Sequence, residues 1–219
     1  KEQNILRIAD VHLAKGDFRS SIEFLDSSYS KNEIPGIKYK LIEIYLFSGF
    51  PDTALTMINN LFQTIMSTDK YFNDLMELRD FINHYYVKVD ADGKEVFKDY
   101  LRSESLLKQR KIFEANQLLE YIQNNNNNKI LSPLIFLRRS IILMRLKKYD
   151  EALNQLNNLN GSIYSDRGII MSGQIFEQFY DNSDKAVEYY MQIINDYPDS
   201  IFSEPIRYHL RKIKDNEKI

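Results

Sequence analysis

The chain has 219 residues, 43% of them hydrophobic and 27% charged, with a formal net charge of −2; that is ample for a continuous core, and it leaves no global positive field to hold nucleic acid or an anionic membrane. Seven Gly and five Pro are too few for a turn-rich β architecture, and the absence of Cys removes disulfides, thiolate nucleophiles and zinc-thiolate sites together. No run approaches the ~18 uncharged apolar residues that a membrane span needs.

Lys1-Glu2-Gln3-Asn4 leads straight into a helical pattern, with neither Met nor a basic-then-apolar leader, which suits a processed mature protein or, as the favoured reading, a fragment of a longer protein. The first predicted helix pair is Ile5 to Ala14 and Phe18 to Tyr29, broken at Lys15-Gly16-Asp17, where Gly supplies a left-handed stop and Asp17 a cap for the next helix. A proline-bearing turn from Asn32 to Gly36 closes this unit. The second pair is Ile37 to Phe47 and Asp52 to Met66, with Ala54, Leu55, Ile58 and Leu61 as its buried stripe. From Asp69 to Tyr86 the residues Leu75, Leu78, Phe81, Ile82 and Tyr85 keep helical spacing without a small-residue signature, so a lone, divergent helix is predicted there.

Val87 to Glu95 has a superficial likeness to a calcium loop. With Gly93 in the sixth place, however, Lys88 would stand where a carboxylate ligand is required, and a β-turn on Asp92-Gly93 is the better reading. The third pair is Glu95 to Gln109 and Ile112 to Gln123, followed by a solvated loop of five Asn, Asn124 to Asn128. The fourth is Pro133 to Leu146 and Tyr149 to Leu159, and the fifth Ser165 to Tyr180 and Ser183 to Asp196, stopped by Pro198. A last amphipathic helix, Ile201 to Ile213, turns Phe202, Ile206, Leu210 and Ile213 inward.

The second helices share a small residue, Ser21, Ala54, Ala115, Ala152 and Ala186, at steps of 33, 61, 37 and 34 residues. Such residues let neighbouring helices approach closely while the larger apolar residues beside them fill the next groove. Lys15-Gly16-Asp17-Phe18-x-x-Ser21-Ile22, Lys148-Tyr149-Asp150-Glu151-Ala152-Leu153 and Asn182-Ser183-Asp184-Lys185-Ala186-Val187 each resemble the inter-helix turn and second-helix start of a tetratricopeptide repeat, a family with a 34-residue period. Its small first-helix residue is matched by Ala9 and Gly173, less well by Ser103 and Ser140, and Ile42 departs from it.

Spacing and resemblance together predict an all-α right-handed solenoid spanning 1–219 as one domain. Its repeats are about 4–34, 36–67, 95–124, 131–160 and 165–198, with an irregular insert at 68–94 and a capping helix at 201–214. Tyr197-Pro198-Asp199-Ser200 followed by an amphipathic helix is similar to units of bacterial envelope proteins of the TolA-binding and outer-membrane-assembly lipoprotein type, which implies the periplasm or cell envelope rather than the cytoplasm.

No Gly-rich phosphate loop, nucleophile elbow or Glu-x-x-His pair appears, and His12, His84 and His209 lack partners at ligand spacing. The expectation is therefore a protein that is not an enzyme and needs no cofactor or metal. Basic clusters at Lys108 to Lys111, Arg138-Arg139 and Arg145 to Lys148 sit mostly at helix ends, where the macrodipole accounts for them. A scaffold that holds a protein or peptide partner on its concave face is expected. The alternatives are a structural spacer or oligomerisation segment of a larger envelope protein and, as a minor one, a nucleic-acid-associated regulator. The resemblance places Tyr39 and Glu43, and again Tyr100 and Glu104, on the inner surface, where chaperone-tail-binding relatives carry a Lys and an Asn that clamp a carboxylate. That clamp is absent. Each pair is i and i+4 and so shares a helix face, presenting an aromatic platform beside a carboxylate suited to an extended peptide with basic or aromatic anchors.

Overall fold

The computed structural model describes residues 2–32, 34–126 and 128–216; Lys1 and, within the expected loops, Glu33 and Asn127 lie outside the described residues. Helices account for all regular structure among the described residues. The chain divides into two compact units, residues 1–131 and 132–219. The first holds α1 (Glu2–Ala14), α2 (Phe18–Asn32), α3 (Pro35–Phe47), α4 (Pro51–Leu61), α5 (Phe72–Ile82) with a π-helical turn (Asn83–Val87), α6 (Ala91–Lys108) and α7 (Ile112–Asn125). The second holds α8 (Ser132–Arg145), α9 (Tyr149–Asn157), α10 (Ser165–Gln178), α11 (Ser183–Asp196) and α12 (Ser203–Asn216). No described helix is long and apolar enough to cross a membrane.

The all-α helix-pair architecture is thus present, and its register is written in the backbone. Gly16, Gly49, Arg110, Lys147 and Asp181 all have positive φ, between 50° and 86°. Each stands two residues before the second helix of its pair and five before the shared small residue. In four turns the next amide donates five residues back: Asp17 to His12 O at 2.9 Å, Phe50 to Tyr45 O at 3.0 Å, Lys111 to Leu106 O at 2.9 Å and Lys148 to Leu143 O at 2.9 Å. This is the bond that satisfies an orphan carbonyl at a helix C-terminus once the chain turns left-handed. At Arg110, Lys147 and Asp181 the turn forms against the steric preference of a residue with a Cβ, so the packing of the two helices imposes it.

Ser21, Ala54, Ala115, Ala152 and Ala186 are all 0% exposed, as are Ala9, Ser103, Ser140 and the larger Ile42 in the first helices. The buried serines bond their own helices or a partner: Ser21 Oγ donates to Ala9 O at 3.1 Å, Ser103 Oγ to Tyr100 O at 2.6 Å and Ser140 Oγ to Leu137 O at 2.7 Å. A hydroxyl can therefore replace a methyl there without an unpaired polar group in the core. Gly173 is required by close approach, since a Cβ on it would lie 2.6 Å from Tyr190 Cε1. Within the second unit α12 lays Ile206 and Leu210 over Ala186, Tyr190 and Ile193, with Phe202 and Ile213 at the margin.

Local differences from the expected elements have identifiable causes. Asp92 and Gly93 do not form a β-turn; they lie in the first turn of α6, because Asp90 is extended and caps that helix by accepting the Gly93 N–H at 2.8 Å. Gly93 fits because a Cβ would meet Asn128 Nδ2 at 2.6 Å. The Asn run is shorter as a loop than expected: α7 continues to Asn125, and Asn128 Oδ1 accepts the Ile130 N–H at 2.9 Å. α12 begins at Ser203, leaving Ile201 exposed in the preceding turn.

Candidate functional site

In the first unit α3 packs on α1, α2 and α4, and α6 lies against both α3 and α1. Tyr39 on α3 is half-buried, its ring stacked on Tyr71 at 5.3 Å and 22°. The Tyr71 hydroxyl donates to Glu2 Oε1 at 2.9 Å. One turn along α3, Glu43 accepts from Lys40 Nζ at 3.1 Å, and the same ammonium meets Asp10 Oδ1 at 2.7 Å.

Across from this face α5 presents Asp74, Glu77, Leu78 and Phe81, a spacing of i, i+3, i+4 and i+7 that lines them along one side of the helix. Together with Tyr39 they line a shallow, open cleft of about 320 Å³. Burial, then the carboxylates of Glu43, Asp74 and Glu77, push the Tyr39 phenol up to about 12. It therefore remains a neutral hydroxyl, able to donate, through the whole physiological range.

The four residues singled out in sequence are not brought together as equals. Tyr39 borders the cleft with Glu43 one turn away, whereas Tyr100 and Glu104 are 6% and 8% exposed. Because α6 is applied to α3 and α1, its Tyr100 joins an interior aromatic group, 6.4 Å from Phe81 and 6.3 Å from Phe97. Phe81 links that group to the cleft. Asp74, Glu77 and Phe81 were absent from the sequence-derived set, and only the packing of an insert without repeat signature places them beside Tyr39.

Two of the histidines and two of the three basic clusters have local partners. His12 Nδ1 is 3.6 Å from Asp17 Oδ2, His84 meets the Tyr85 ring edge-on at 4.6 Å, Lys108 lies 5.2 Å over Phe47, and Lys148 pairs with Glu151 at 2.8 Å. Among the described residues no three His, Asp or Glu side chains converge as metal ligands would.

His209 shows a partner that sequence spacing concealed. Its Nε2 lies 2.9 and 3.0 Å from the two oxygens of Glu177, and Tyr190 donates to the same carboxylate at 2.7 Å. Burial opposes the charge on Glu177, but the hydrogen bonds from Tyr190 and His209 and the attraction of His209 outweigh it, so the carboxyl titrates below its ordinary 4.5. A folded value below the unfolded one means that this group's stabilisation is complete above pH 4.5 and drains as pH falls through the lowered value. Hydrogen-exchange protection of α12 should accordingly decline on acidification below that point in the parent and much less in Glu177→Gln, which should already be less protected at neutral pH. Identical protection profiles for the two proteins would show that Glu177 does not hold α12.

Residues 170–200 match the family model for the tetratricopeptide repeat. No curated protein matches the chain. Among solved structures, the chain is similar to YrrB, described as a TPR protein with an unusual peptide-binding site, at 14% identity over 97% of this chain and 92% of the other with a TM-score of 0.45. It is also similar to TTC0263, a thermophilic TPR protein of Thermus thermophilus, at 15% identity over 97% and 100% with a TM-score of 0.44. For MamA the values are 14% identity, 85% and 92% coverage and a TM-score of 0.43.

Proposed function

We propose that this chain of tetratricopeptide-type helix pairs is a non-catalytic scaffold that holds an extended segment of a partner protein in the cleft between α3 and α5. The observation that carries the reading is the cleft itself: an aromatic ring on α3 faces an aromatic and an aliphatic side chain on α5, with carboxylates at the rim. Concave sites of a few hundred Å³ with apolar walls and a few polar groups are the usual form of a binding pocket. Tyr39 is the anchor. Truncated aromatic anchors at the centre of an interface commonly cost about 2 kcal/mol or more.

The test begins with a partner captured by the full chain and then measured in purified form. Tyr39→Ala is expected to weaken its binding at least about tenfold, the equivalent of about 1.4 kcal/mol. Tyr121→Ala, on an exposed face of α7, should bind as the parent does. Equal affinity of a folded Tyr39→Ala variant would remove the cleft as the binding site and place the partner on another face of the chain. Tyr100 is unsuitable for this test because its truncation would disturb the core.

A further inference from the structure

The charges around the cleft are unevenly compensated. Glu43 and Asp10 share Lys40. Glu2 has Lys70 at 3.6 Å, and that lysine also lies 4.6 Å over the Tyr71 ring. Arg79, the basic residue of α5, is engaged elsewhere, 4.9 Å over Phe62 and 3.8 Å from Asp80. Asp74 and Glu77 are both exposed, and among the described residues neither has a cation within ion-pair distance.

Two like charges three residues apart on one helix face repel each other and destabilise the helix slightly. Here they line the same cleft as the rings of Tyr39 and Phe81. An aromatic face attracts a cation, and more strongly once the cation is partly desolvated. The same geometry rejects other occupants. An anion would meet two carboxylates, and a purely apolar side chain would strip water from them without offering a partner.

We propose that the cleft between α3 and α5 takes a lysine or arginine side chain of the partner segment, its stem against Leu78 and Phe81 and its charged head between Asp74 and Glu77. The proposal rests on the scaffold reading above and adds the chemistry of the anchor. The neutral Tyr39 hydroxyl adds no third charge and leaves a donor for the peptide backbone beside the anchor. Lys40 partly offsets Glu43 and Asp10, whereas the carboxylates on α5 have no cation of their own within ion-pair distance among the described residues.

A random decapeptide display library panned on the full chain tests both levels. Selected peptides are titrated by NMR into isotopically labelled protein, alongside an Asp74→Asn, Glu77→Gln variant whose exposed substitutions leave the core untouched. The expected binders share a Lys or Arg at a fixed position and perturb the resonances of Tyr39, Leu78 and Phe81. Binding should weaken at least about tenfold when that residue is replaced by norleucine or citrulline respectively, or when the double variant is used. It should also fall as salt is raised, because exposed charges are screened. Peptides that perturb the same residues yet lack a basic side chain, or bind the double variant equally well, would overturn the basic anchor and leave the scaffold cleft standing. Binders that perturb only other surfaces, or a library that yields none, would overturn both.

Discussion

Phe97→Ala is expected to lower the unfolding free energy by about 3–5 kcal/mol, the upper range for loss of a buried aromatic ring. Phe97 is fully buried and sits among Phe81 at 5.5 Å, Tyr86 at 5.8 Å and Tyr100 at 6.3 Å. The cost of such a truncation depends on whether the neighbours can collapse into the void. The Tyr86 hydroxyl donates to Asp52 at 2.6 Å, which limits how far that ring can move into the void. Phe113→Ala on α7 is the control, because that ring is 68% exposed and its removal should change stability by no more than about 0.5 kcal/mol. Urea unfolding followed by circular dichroism measures both. A Phe97→Ala loss below about 1 kcal/mol would mean that this aromatic group is not a packed core.

Ala186→Phe should cost about 1–3 kcal/mol by overpacking, and Ala152→Phe a comparable amount. Both alanines are fully buried between the paired helices of the second unit. At Ala186 the two backbones have little room to separate. Gly173 of α10 already lies against the Tyr190 ring, and that ring is tied to α10 by its bond to Glu177. A phenyl group must therefore push α11 away and strain the Tyr190–Glu177 bond at the same time. Thermal melts of both variants indistinguishable from the parent would show that the small-residue register is assigned to the wrong face.

The helix pairs were legible in the sequence because three-and-four spacing of apolar residues and a small residue beside them are local properties of each helix. Even the substitutions at that small position, Ser103 and Ser140, could be placed, since a serine that bonds its own helix occupies nearly the space of an alanine. The start of α6 was not legible. Asp90 to Gly93 can close a turn or cap a helix with the same side-chain oxygen, and what selects the cap is the packing around Gly93, beside Asn128 far along the chain.

The site was half legible for a related reason. Tyr39-Glu43 and Tyr100-Glu104 have the same spacing, but their exposure depends on which helices cover them, and α6 is covered where α3 is open. The carboxylates of Asp74 and Glu77 could be assigned to a cleft only once α5, which lacks any repeat signature, was placed against α3. His209 and Glu177, 32 residues apart, are joined by the docking of α12 on α10 and α11, which no motif announces.

The left-handed residue that closes every helix pair also determines where this chain can change length. Inside a pair the closure leaves little slack: four turns close five residues back, and in the fifth, one residue longer, the Asn182 amide donates six residues back to Phe176 O at 2.9 Å with Ala186 still fully buried. Between pairs the constraint lapses. The connection that includes the Asn run and the whole of α5 with its π-helical turn both fall between pairs, and both lengthen the step to the next unit without disturbing the turn inside it. Surface connections of this kind are where polypeptides accept additions most readily. In this chain α5 lies between pairs and lines one wall of the cleft, so under the proposed function the part of the molecule freest to vary in length would also set what the cleft holds.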